Sequence, residues 1–167
     1  MRVAAEEKHV DTGLLIAILL LIHAAGAIIG FGPVFTFAIL GPLAGRAGPQ
    51  GGMALLEAMD AIEHKLILPV AIVVQPLSGL TLIFLAGYNV NFFSHYWLWI
   101  GITLYAIAFN LAVFGQRTRL TRMIAIAKAG PPTPEFIATA KKVAQTGPII
   151  TVLLVVIIIL MVTKPGA

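Results

Sequence analysis

The sequence predicts an all-α fold, a bundle of four transmembrane helices whose ends extend into the cytoplasm. Three observations carry that prediction. The 167 residues are 59% hydrophobic and 11% charged, with a mean hydropathy of +0.99, whereas soluble domains carry about 25% charged residues. Apolar runs suited to crossing about 30 Å of hydrocarbon, which takes roughly 20 helical residues, recur along the chain. The stretches between them are short and rich in turn-forming residues, so residues 1–167 read as one integral membrane domain.

Taken in order, the leader MRVAAEEKHVDTG precedes the first run. Leu14 to Ile22, followed by small residues, has the look of a secretory signal core. Glu6, Glu7 and Asp11 suit a signal leader poorly, so this run is expected to stay as the first helix. Its span is placed at Leu14 to Val34, with the helix continuing through FTFAILGPL. AGRAGPQGG then breaks the chain before a second span, Leu66 to Ala86, on a helix starting near Met53. GYNVNFFSH separates it from the third, Tyr96 to Phe114, which runs on through GQRTRLTRMIAIAKA. After AGPPTP, Thr133 caps a last helix with Pro134 and Glu135 in its first turn. That helix carries the fourth span, Gly147 to Thr163. Pro33, Pro69, Pro76 and Pro148 fall in or at the ends of spans and predict bends.

Charge gives an orientation. Arg46, Lys65, Arg117, Arg119, Arg122, Lys128, Lys141 and Lys142 fall on one side, and Arg2, Lys8 and Lys164 on the other. Basic loops stay inside, so the 1–2 and 3–4 connections are expected in the cytoplasm and both termini outside. Tyr88, Tyr96, Trp97 and Trp99 would form an aromatic belt at the outer face. The formal charge of +4 belongs to this topology and is no nucleic-acid signal. With no cysteine, disulfides and thiolate metal sites are excluded.

The first span holds the residue that most needs explaining, His23 in LIHAAGAIIGFGP. At 1.5 Å per residue it lies roughly 13 Å below the outer edge, near the bilayer midplane. The same depth falls beside Gln75 and Ser78 in the second span and at Tyr105 in the third. One reading is an interhelical hydrogen-bond cluster that fixes helix register, with Gly26 and Gly30 allowing close packing. The other is a functional site, the default for an intramembrane ionisable group. A haem held by two histidines would need a second imidazole at matching depth. His95 lies about 15 Å away and His64 about 19 Å away, leaving a five-coordinate or subunit-shared haem.

Before the second span, EAMDAIEHK supplies Glu57, Asp60 and His64 on one helical face. Three such side chains are a candidate divalent-metal set. The competing reading is ion pairing to Arg117, Arg119, Arg122 or Lys141. No complete catalytic set accompanies them.

The pieces GFGPVFTF after His23, ILPVAIVVQPLSGLTLIF, WLWIGITLYAIAF and the closing LMVTKPG resemble the bacterial membrane proteins of domain of unknown function 2269, from about Leu14 to Gly166. That family is in turn distantly similar to the copper-resistance D proteins and four-helix protoporphyrinogen oxidases. Those carry a first-helix histidine followed about seven residues later by tryptophan and glycine; here Gly30 stands in the tryptophan's place. The likeness implies that His23 is the position to meet a porphyrin or metal. Two functions are expected from these readings. The first is a non-enzymatic accessory or scaffold subunit of a larger assembly in the bacterial inner membrane, of an electron-transfer or photosynthetic kind, partnered by other membrane subunits or by itself. The alternative is a haem-, porphyrin- or metal-handling protein using His23, Gln75, Ser78 and Tyr105.

Overall fold

The computed structural model describes the backbone of residues 2–166 and the side chains of residues 12–166. The leader side chains used above, Arg2, Glu6, Glu7, Lys8 and Asp11, lie outside those described. Four long helices succeed one another: α1 (Arg2–Arg46), α2 (Gly48–Leu85), α3 (Tyr96–Ala129) and α4 (Pro134–Thr163). All four are long and apolar enough to cross a membrane. The 38 residues of α2 extend for about 57 Å at 1.5 Å each, well beyond the hydrocarbon.

Two of the connections match their sequence signals. Thr133 Oγ1 accepts the Phe136 N–H at 3.2 Å and starts α4 as a capped helix. Between α2 and α3 the chain turns through Gly87 (φ +77°) and Asn91 (φ 56°) into a short 3₁₀ segment, Phe92–Ser94. The first connection differs from expectation. Only Ala47 separates α1 from α2, and most of AGRAGPQGG is helical. Gly48 takes the left-handed turn at φ +71° and Pro49 enters the first turn of α2, where its missing N–H costs nothing. Gly52 then lets α2 pass α1, since a Cβ there would lie 2.6 Å from the Ala44 carbonyl oxygen.

The helices widen locally into π-turns at Glu63–Ile67, Val70–Val74 and Leu111–Arg117. The first two follow one rule. Leu68 N–H bonds to Glu63 O and Gln75 N–H to Val70 O, each five residues back, and each is followed at once by a proline. A proline cannot donate to the carbonyl behind it, and the wider turn is how α2 absorbs Pro69 and Pro76 without ending.

Packing is close along the α1–α2 seam. A Cβ on Gly26 would meet Val74 Cγ1 at 2.9 Å, and one on Gly30 would overlap the Val70 side chain. These two glycines therefore set how near the helices come, as small-residue seams do in membranes.

The two ends of the bundle are built differently. At one end, Leu56, Met59, Leu120 and Met123 form a buried cluster flanked by Phe37, Leu40 and Phe136. Around it the basic residues find partners: Lys128 with Glu57 at 2.8 Å, Arg122 with Glu135 at 2.7 Å, and Arg119 donating to Thr146 Oγ1 at 2.6 Å. At the other end, Lys164 ends α4 in a left-handed conformation (φ 40°). Its Nζ lies 5.6 Å over both the Tyr88 and Trp97 rings, and those rings meet edge-on at 5.4 Å. Trp97 is buried at 3% exposure, so it serves this internal cluster and not a lipid-facing belt, whereas Tyr96 and Trp99 remain exposed. The closing LMVTKPG is thus a clasp. Met161 packs where Gly101 leaves room, Lys164 enters the aromatic cluster, and Gly166 lies against Tyr96.

Candidate functional site

Gln75, Ser78 and His23 come together between α1 and α2. Gln75 and Ser78 are buried, at 6% and 5% exposure, and His23 is half-buried. Gln75 Nε2 donates to the His23 carbonyl oxygen at 2.8 Å, tying the two backbones at the depth of the imidazole. His23 Nδ1 lies 2.8 Å from Ser78 Oγ. The Ser78 hydroxyl proton is directed at the Val74 carbonyl, so Oγ faces the ring as an acceptor and Nδ1 is the nitrogen that donates. That selects the Nδ1–H tautomer and leaves Nε2 with its lone pair.

Nε2 has no hydrogen-bond partner among the described residues, and it is not among the buried polar atoms left unpartnered. It therefore keeps some accessible surface of its own. The ring itself rests on Gly79, where a Cβ would approach His23 Cε1 to 3.1 Å. Gly79 was not singled out from sequence; nothing in GLTLIF marks that glycine as the imidazole's seat until helix phase is known.

Tyr105, placed in the same layer from sequence, makes no hydrogen bond to the histidine. Its hydroxyl donates to the Ala71 carbonyl. The reason lies in the π-turn. In an α-helix the Gln75 N–H would serve Ala71 O, but it bonds Val70 O instead, and the next amide in line is that of Pro76, which has no N–H. Ala71 O is thereby orphaned inside the bundle, where a buried carbonyl requires a donor. Tyr105 supplies it. The layer expected around His23 is therefore two linked units: Gln75 and Ser78 hold the histidine, and Tyr105 repairs the turn below it.

The three residues considered for a metal are drawn to different partners. Glu57 pairs with Lys128. His64 Nδ1 donates to the Asp60 carbonyl at 3.1 Å and lies 3.4 Å from Asp60 Oδ1, while His64 Nε2 accepts from Arg117 at 2.6 Å. Among the described residues no group of three His, Asp or Glu is assembled for a metal ion. Glu57 thus meets Lys128, a cation not among those named from sequence, and Arg117 meets His64 instead of a carboxylate.

EAMDAIEHK also supplies Glu63, to which the sequence assigns no role, yet it is the buried carboxyl, at 5% exposure. A signal was present. Leu56, Met59, Glu63 and Ile67 recur at helical spacing on the apolar face, beside the side that carries Glu57 and Asp60.

Comparison with known proteins adds one match. The model of a family described as a predicted integral membrane protein, DUF2269, covers residues 17–165. No curated protein and no solved structure matches the chain.

Proposed function

The chain belongs to the DUF2269 family of predicted integral membrane proteins, and from that premise we propose that it is a non-enzymatic accessory subunit of a larger membrane assembly, met through the α1 surface at His23. One observation carries this reading: the Nε2 lone pair, left without a partner by the Ser78 bond, at the edge of a helix whose neighbouring face is apolar. An acceptor facing hydrocarbon without a donor is costly. A donor or metal brought by a second subunit offsets that cost, whereas acyl chains do not.

A second reading shares the same atom. With Nδ1–H held by Ser78, Nε2 has the orientation and basicity of a metal-ligating imidazole backed by an outer hydrogen bond, and Gly79 keeps the flank of the ring clear. The residues present fit a haem or porphyrin metal held by His23. Among the described residues His95 packs edge-on to Tyr88 and His64 is committed to Asp60 and Arg117, so neither joins His23 there. Bound there, the group would supply redox chemistry, while Ser78, Gln75 and Gly79 would position the imidazole.

Purification without a tag from the native membrane separates these readings. Co-purifying membrane subunits and a colourless preparation support the accessory role. A Soret band lost in His23→Ala supports the haem role. A stable, colourless monomer that leaves the native membrane alone contradicts both.

The bacterial inner membrane and cytoplasmic 1–2 and 3–4 connections go with this proposal, supported by the basic residues clustered at one end of the bundle. The chain lacks cysteine, so Val90→Cys and Pro131→Cys give single reporters. An impermeant maleimide should reach the first from outside and the second only after lysis. The opposite pattern would invert the topology.

A further inference from the structure

Between the four helices at the basic end lies a cavity of about 1000 Å³. Its size is at the upper end for small-molecule sites, and its wall is largely apolar, with Phe37, Leu56, Met59, Ile67, Leu120 and Met123 among the lining residues. Two polar side chains interrupt that wall, Glu63 buried and Gln116 partly buried. Glu63, 5% exposed, makes no hydrogen bond and no ion pair among the described residues. Gln116 spends Nε2 on the Val143 carbonyl at 3.3 Å, and its Oε1 is buried with no partner.

The neighbouring cations do not meet this need. Arg117 donates to His64, and its charge acts on Glu63 from beyond ion-pair distance. Lys141 borders the cavity but is exposed and pairs with neither group. A carboxylate and an amide oxygen both accept hydrogen bonds. An occupant that satisfies them brings N–H donors and positive charge, and one that fills the rest of the space brings hydrocarbon.

We propose that this cavity binds a lipophilic primary amine, its ammonium directed to Glu63 and Gln116 and its hydrocarbon against the apolar wall. An aminophospholipid headgroup and a free long-chain amine present the same chemistry. The inference is independent of His23 and of the accessory role.

The test uses the full chain in phosphatidylcholine nanodiscs with radiolabelled dodecylamine as probe and dodecanol and dodecanoate as competitors. Dodecylamine should bind saturably and about ten- to hundredfold more tightly than dodecanol, the range for a charge-assisted hydrogen bond. Glu63→Gln should abolish that preference, and Gln116→Leu should weaken amine binding severalfold. Ala112→Phe, which intrudes on the cavity wall, should weaken binding of all three molecules alike and stands as the arm that keeps the buried polar groups intact. Phosphatidylethanolamine added to the discs should displace dodecylamine if the occupant is a lipid, and leave it bound if the occupant is a free amine. Equal binding of amine and alcohol overturns the proposal. So does an undiminished amine preference in a Glu63→Gln protein that unfolds at the wild-type temperature.

Discussion

At the scale of single residues, the imidazole of His23 is defined by a chain of donors and acceptors. Val74 O takes the Ser78 proton, Ser78 Oγ takes the His23 proton, and Nε2 is what remains. The order matters because a serine hydroxyl has one proton to give. If Ser78 is replaced by alanine, Nδ1 loses its acceptor, and nothing else described selects that tautomer. Nitrogen-15 NMR of the protein in bilayers should therefore show His23 protonated at Nδ1 in the native chain. In Ser78→Ala it should show a mixture or the Nε2–H form. An Nε2–H signal in the native protein, unchanged by the substitution, contradicts the assignment. Asn110 behaves more simply. Its amide donates to Ala106 O on its own helix at 2.8 Å and takes no part in the layer.

At the scale of helices, Pro76, the π-turn Val70–Val74 and Tyr105 form one device. The proline removes a donor, the wide turn moves the Gln75 amide back to Val70, and Tyr105 reaches across to the carbonyl left over. Tyr105→Phe should destabilise the bundle by about 1–2 kcal/mol, the range for a hydrogen bond inside a membrane protein. In a Pro76→Ala background the restored N–H can serve the released carbonyl, and the same substitution should cost markedly less. A double-mutant cycle of unfolding in detergent reads the coupling. Purely additive effects would separate the proline from the tyrosine. This device also shows where sequence reading stops. The four crossings, the Thr133 cap and the shared depth of His23, Gln75, Ser78 and Tyr105 follow from hydropathy, capping chemistry and rise per residue. Which group each of those side chains bonds does not, because a π-turn shifts helix phase by a fraction of a turn. That shift decides whether Tyr105 meets an imidazole or a carbonyl. The break after α1 was overread for a related reason: Pro49 and Gly52 are turn residues in isolation, but here one starts a helix and the other permits a crossing.

At the scale of the whole molecule, a tightly seamed wall and a cavity divide the bundle. The α1–α2 seam at Gly26 and Gly30, with the LMVTKPG clasp beyond it, packs the aromatic end. The basic end holds open space around Glu63. His23 sits at the rim of the seam with one nitrogen unspent. Among the described residues nothing supplies that atom a counterpart, and the proposal rests on a protein partner supplying it. Leu20, one turn away on α1 and 52% exposed, covers the same surface, whereas Phe114 on α3, 69% exposed, samples a site well removed along the chain. Photoreactive residues placed at these positions in cells of the native host test the claim directly. Position 20 should yield one discrete adduct with another membrane polypeptide, lost in His23→Ala, and position 114 should not. Adducts with lipid alone at position 20, or the same adducts from both positions, would contradict it.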